Sequence, residues 1–283
     1  MAKTKYVYFF GDGDAEGDES MRAELGGKGA NLAQMAKAPL SLPVPSGFTI
    51  STDVCDYYYK HEKNYPETLN ADVDKYLSKL ERSMKKKLGD EKDPLLVSVR
   101  SGAAISMPGM MDTILNLGLN DKSVLGLAEK TNNPRFAWDA YRRFIQMFGD
   151  VAMGVPHEKF EEAISEVKAA KGITQDTEMD TSDLQTLVGK YKAIYKAAVG
   201  EDFPQDPKKQ MWAAINAVFG SWMNPRAIKY RELNNIKEGA LKGTAVTVMA
   251  MVFGNKGNTS GTGVCFSRYS PVLRTRIRSS RYP

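Results

Sequence analysis

The chain has 283 residues, 42% apolar and 10% aromatic, which is the composition of a core-forming globular protein and not of a disordered one. Its net charge of +5 equals the contribution of Arg268, Arg274, Arg276, Arg278 and Arg281, which lie in a C-terminal stretch without acids. The rest is balanced, so no nucleic-acid groove is implied. Two cysteines, Cys55 and Cys265, without CxxC spacing or a histidine cluster argue against a disulfide framework or zinc site and fit a reducing, cytoplasmic compartment; no apolar run reaches membrane-spanning length.

In chain order, "KYVYFF" reads as a strand and "GDGDAEGDES" as a polar turn, an N-terminus unlike a signal peptide. "GGKGANLAQMAKA" reads as a glycine loop opening a short helix, and "VPSGFTIS" as a strand followed by a helix capped by Thr52. Leu69, Val73, Tyr76, Leu77, Leu80, Met84 and Leu88 recur at three- and four-residue steps, predicting a helix with one apolar face. The run "LLVSV" is a buried strand closed by Arg100. From about Asp121 to Asn235 helical periodicity dominates, with Pro134 at a helix start and Phe136, Ala140, Phe144 and Phe148 along one side. Strands return in "GTAVTVMAMVFG" and, after the loop "NKGNTSGTG", in "VCFS". The tail "RYSPVLRTRIRSSRYP" has no sustained periodicity and is expected to be disordered, with a boundary cut through a domain as the alternative.

Several stretches could carry chemistry. Lys28, among Gly26, Gly27 and Gly29 before a helix, suits a phosphate cradle, although a glycine turn bearing a solvated lysine has the same pattern. The GxxxxGK[ST] spacing is absent. Arg100 stands at the carboxyl end of its strand, where α/β sheets collect ligands; an arginine paired with a carboxylate is the alternative. The following "SMPGMMDT" offers polarizable methionines on a Pro-Gly turn, suited either to a flat ring or to core filling. The second glycine loop, residues 254–263, is long for a hairpin and rich in N–H and O–H donors. On the strand before it, Met249 and Met251 could hold a base with apolar sides and backbone amides. Arg143, four residues after Asp139, first suggests a surface ion pair. His61 and His157 have no evident metal ligand or nucleophile beside them, and no close carboxylate pair marks a metal site.

Together, "GGKGANLAQM", "DPLLVSVRSGAAISMPGMMDTILNLGLND", "NPRFAWDAYRRFIQMF", "NPRAIKYRELNNI" and "TAVTVMAMVFGNKGNTSGTGV" resemble the N-terminal nucleotide-binding domain of the pyruvate, phosphate dikinase family. Phosphoenolpyruvate synthases and glucan water dikinases are related alternatives, but the synthases' loop differs from "SMPGMMDTILNLGLN". The resemblance implies an α/β (α+β), ATP-grasp-like fold with an inserted helical subdomain, incomplete at its C-terminus. It divides the chain into an α/β lobe (1–118), a helical subdomain (119–200), the start of a second lobe (201–267) and an atypical tail (268–283).

The implied activity converts ATP, phosphate and pyruvate to AMP, diphosphate and phosphoenolpyruvate, with Mg2+ accompanying ATP. The phosphoryl group passes through a histidine on a separate domain. By motif, Lys28, Arg100 and Arg143 would contact phosphates, Gly109 and Met111 would cover the nucleotide, Met249, Ala250 and Met251 would border the adenine, and Thr262 with Gly263 would form a phosphate-facing turn. No metal-ligating residue is assigned. Past "GTGV" the sequence departs from the family, and the later carboxylate, glutamine and arginine ligands, the histidine-carrier domain and the pyruvate-binding barrel are not found. The chain is therefore expected to bind ATP and phosphate but to be inactive alone, without nucleic-acid or membrane partners, the parent enzyme being a homo-oligomer. A non-catalytic nucleotide-binding or interaction module is the rival reading, and import into an organelle by a C-terminal signal the alternative location.

Overall fold

The computed structural model describes residues 4–237 and 239–264. The expected tail and the strand positions Cys265, Phe266 and Ser267 lie outside the described residues. In chain order the described elements begin with β1 (Val7–Gly11), β2 (Asp14–Ala15), α1 (Arg22–Ala36), β3 (Gly47–Ile50), α2 (Thr52–Lys60), α3 (Leu69–Met84), β4 (Val97–Gly102) and β5 (Thr113–Leu117). Helices α4 (Ser123–Thr131), α5 (Pro134–Met147), α6 (His157–Lys171), α7 (Thr181–Val199), α8 (Pro207–Gly220) and α9 (Pro225–Leu233) follow, and then β6 (Ala245–Ala250).

The described strands form one sheet in the order β2-β1-β3-β6-β4-β5, with every neighbouring pair antiparallel. The fold thus mixes helices with an antiparallel sheet. The strand Ala245–Ala250, which the sequence reading placed in a second lobe, lies between β3 and β4 in the middle of this sheet.

Strand alternation gives the sheet two unlike faces. Val7, Phe9, Phe48, Ile50, Val97, Val99, Val246 and Val248 point into the main core, against which α3 and α8 pack. The opposite face is covered by α1, where Ala33 and Ala36 meet Phe10 and Met249. That face also carries a polar row: Thr49 pairs with Thr247, Thr247 with Arg100, and Arg100 with Thr113.

The helical block is built as its periodicity predicts. Asn133 caps α5, accepting from the Phe136 amide at 3.0 Å, with Pro134 at the first helical position. Phe136, Phe144 and Phe148 are buried, and Phe203 meets Phe144 and Phe148 edge to face with centroids 5.5 Å apart. Such pairs add about 0.5–1.5 kcal/mol each beyond area burial.

Three local expectations fail. Ser51, not Thr52, precedes α2, and Thr52 Oγ1 instead donates to the Ala23 carbonyl at 2.7 Å, tying α2 to α1. Helix α3 ends at Met84 because Lys85 adopts left-handed backbone, so Leu88 leaves the helix and bridges to Leu95. Arg100 does not close its strand, since β4 continues through Gly102.

Candidate functional site

The site begins with a break in α1. Gly26 sits at φ 65°, ψ 169°, interrupting the helix so that it starts afresh at Gly27. Only glycine adopts such backbone without strain, and a Cβ here would also collide with the Gly102 carbonyl. This contact presses the glycine turn onto the end of β4. The Gly27 amide donates to the Ala103 carbonyl at 2.9 Å, and Lys28 Nζ to the Ser101 carbonyl at 2.8 Å.

Lys28 and Arg100 form a pair of like charges. Partial burial of its ammonium, and then repulsion from Arg100, hold the Lys28 pKa below the ordinary lysine value. The Arg100 side chain has no ion pair or hydrogen bond among the described residues, and its Nε is buried without a partner. The carboxylate-paired arginine that the sequence left open as an alternative is therefore not seen there. The polar face, and not the strand's carboxyl end, is what aims this guanidinium; in an antiparallel sheet strand ends carry no common direction.

A cavity of about 510 Å3 opens here, bounded by Arg22, Lys28 and Asn31 of α1 and by the loop 103–111, including Gly109 and Met111. Among the described residues no carboxylate lines it. Thr113, the cross-strand partner of Arg100, closes one side. Gly109 has left-handed backbone (φ 71°) with open space around it, while Met107 is buried and Met111 half-buried. The methionine loop therefore divides its roles between filling core and lining the cavity. Arg22 was missed by the sequence reading because no glycine or motif spacing marks it.

The remaining candidate residues are distributed differently. Arg143 makes the ion pair with Asp139 that the spacing suggests, Nε to Oδ2 at 3.0 Å, and lines a second cavity of about 660 Å3 with Phe136, Asn116, His157, Met251 and Phe253. Thr113 borders both cavities. Met249 faces α1, Ala250 is buried in the sheet, and the Met251 sulfur accepts from the Asn116 amide at 3.0 Å. The amides of Ala250 and Met251 already donate to the Ser46 and Leu96 carbonyls, so the expected backbone grip on a base is not free. Thr262 and Gly263 are exposed and line neither cavity, although Thr262 folds back against Gly254.

His157 has neighbours that the sequence concealed: Nδ1 lies 3.0 Å from Asp150 and Nε2 3.4 Å from Glu161. Even so, among the described residues no group of three or more His, Cys, Asp or Glu side chains is placed to hold a metal ion. Nor is any described helix long and apolar enough to cross a membrane.

A cavity lined by Arg22 and Lys28, without carboxylates among the described residues and with the unpaired Arg100 on the strand beside it, is a candidate anion-binding site on a mixed helix and sheet domain. The family model for the pyruvate phosphate dikinase AMP/ATP-binding domain matches residues 22–67 and 61–276. Over 264 residues, 93% of the chain, it is 56% identical to the chloroplastic pyruvate, phosphate dikinase of Flaveria trinervia and 54% identical to that of Rhizobium meliloti (strain 1021). Identity to the Clostridium symbiosum pyruvate, phosphate dikinase is 55% over 265 residues. The chain belongs to the pyruvate phosphate dikinase AMP/ATP-binding domain family. It spans 27% of the length of the Flaveria relative and 29% of the bacterial ones.

Proposed function

We propose that this chain binds the triphosphate of ATP in the cavity between the Gly26 turn and the loop 103–111, as the nucleotide-binding part of a pyruvate, phosphate dikinase. One observation carries the reading: Arg100 Nε is buried without a partner beside a second cation, Lys28, which itself lines a cavity free of carboxylates among the described residues. Two like charges, one on an exposed residue and one on a half-buried residue, repel each other in the empty protein, and an arriving polyphosphate removes that cost. Lys28, held by the Ser101 carbonyl, and Arg100, carried on the paired strand β4, also sit on ordered elements before any charge moves. Charge redistributed during phosphoryl transfer then meets oriented cations with little reorganisation.

The reaction proposed for the whole enzyme is ATP, phosphate and pyruvate to AMP, diphosphate and phosphoenolpyruvate. Within it these residues bind and orient the nucleotide. Because the matched relatives are more than three times longer, nucleotide binding and not turnover is the role proposed for these residues by themselves. We further propose an ATP-grasp-like arrangement with the α4–α7 helices as its inserted subdomain, supported by their position between β5 and the return to β6. The residues described do not form a magnesium site of their own, so the ion would arrive on the triphosphate and no step is assigned to a protein-held metal. Arg143 is bound to Asp139 through Nε and lines the other cavity, away from Lys28, which makes it a secondary candidate.

Titration calorimetry with ATP and magnesium tests the proposal. Saturable binding at a 1:1 ratio is expected. No binding at millimolar ATP would overturn it and leave an interaction module as the remaining reading. Phosphoenolpyruvate formation by the purified chain is expected to be absent, and sustained turnover would refute the division of labour.

A further inference from the structure

The loop 103–112 is gripped from outside the sheet by a helix that the function has not yet used. Helix α9 buries only Ala227, so it adds little to the core. Its first turn instead reaches the loop. Arg226 Nε donates to the Met110 carbonyl at 3.2 Å, and Arg226 Nη2 pairs with Asp112 Oδ1. Asn224 Nδ2 donates to Asp112 Oδ2 at 3.2 Å, and the Asp112 amide donates to Ser221 Oγ at 3.3 Å. One turn further along, the Tyr230 hydroxyl donates to the Ser106 carbonyl at 3.5 Å. The helix is itself pinned, because Arg231 stacks on Trp222 at 4.1 Å and donates to the Trp222 carbonyl at 2.8 Å.

Asp112 is nearly buried, with 9% of its side chain exposed, whereas Arg226 is 54% exposed. Burial raises the Asp112 pKa, and Arg226 and Asn224 pull against that rise. An ion pair with one desolvated partner is a weak device for stability. It is a strong one for fixing direction, since a guanidinium that binds a backbone carbonyl and a carboxylate together sets both in one plane. The two acceptors, on Met110 and Asp112, flank Met111, which lines the cationic cavity.

We propose that Arg226 and Asp112 are positioning residues: they hold the loop 103–112 at the height where Gly109 and Met111 can close on a bound nucleotide. The proposal rests on the nucleotide reading of the cavity. It adds that α9 sets the affinity of that cavity from outside it, through the loop, without touching the ligand.

Native-state hydrogen exchange and MgATP titration on the full chain test it together. Arg226→Gln is expected to speed exchange of the Met110 amide, which donates to the Met107 carbonyl, by roughly tenfold while buried amides of α5 stay unchanged. It should weaken MgATP binding about fivefold or more and also lower the melting temperature, because Asp112 loses its cation, and Arg226→Lys should restore the melting temperature more than the affinity or the loop exchange, since an ammonium lacks the two-pronged fork. Should Arg226→Gln fold poorly, Asp112→Asn, which keeps the contact to Met110, is expected to show smaller losses in the same two readouts. Unchanged loop exchange overturns the clamp. Faster exchange with unchanged affinity overturns its link to the ligand. If the wild-type chain binds no nucleotide, the functional reading fails and this proposal falls with it, even where the exchange result shows that the grip on the loop is real.

Discussion

Lys28 titrates below an ordinary lysine because its ammonium is partly buried and because Arg100 adds a second positive charge. The sign follows from proton counting. A base with a lowered folded-state pKa holds fewer protons folded than unfolded, so its penalty on stability is fully present below the folded pKa and fades as pH rises through the unfolded one. Bound phosphate reverses the preference and favours the charged form. MgATP affinity is therefore expected to fall as pH rises toward 10, at lower pH than an unperturbed lysine would give, and Lys28→Arg should hold affinity further into the alkaline range. Titrations at several pH values read this directly. Lys28→Ala and Arg100→Ala should each lose a charge-assisted contact worth about 1.5–3 kcal/mol, roughly 10- to 100-fold in Kd. Arg100→Met should also raise the melting temperature by roughly 2–4 °C, since it removes an unpaired guanidinium at about 1 kcal/mol. An arginine with a hidden structural partner would give the opposite shift. At this scale the sequence marks Lys28 and Arg100 as candidate phosphate contacts, with a solvated lysine and a carboxylate-paired arginine as the alternatives that residue type alone leaves open. It was silent on Arg226 and Asp112, which are 114 positions apart and meet only through folding.

The glycine turn inside α1 and the loop after β4 make contact through backbone. Gly26→Ala would place a Cβ against the Gly102 carbonyl in backbone that only glycine tolerates, and a loss of about 2–3 kcal/mol or more is expected. Gly109→Ala, with left-handed backbone but open space, should cost only about 1 kcal/mol. Chemical denaturation of the two variants separates close approach from backbone strain; equal losses would argue against the contact. Helices were the most legible elements, because α5 and α7 repeat apolar residues over several turns, α5 starting at the Asn133 cap and Pro134 and α7 ending at Gly200. Where a helix stops is decided by single residues, as Lys85 shows by turning the chain before Leu88 although the apolar spacing runs on. The place of Arg100 within β4 was misread for a similar reason: Ser101 and Gly102 look like loop in sequence, and they count as strand because β6 pairs with both.

Across the whole molecule, the sheet order is the least legible feature. Nothing local in "AVTVMA" says which strands it will separate, and its partners β3 and β4 lie roughly 200 and 150 positions upstream. Removing everything from residue 241 onward is therefore expected to abolish the cooperative melting transition, because it exposes the inner edges of both β3 and β4. A cooperative, monomeric product by calorimetry and light scattering would show that the sheet halves stand without their central strand. The same topology bears on how the chain is made. Strands leave the ribosome in sequence order, yet the strand that unites the sheet begins only at Ala245. Until then the candidate site has its lysine turn on one half and its arginine on the other, so the nascent chain must keep two unpaired strand edges from finding foreign partners until β6 emerges.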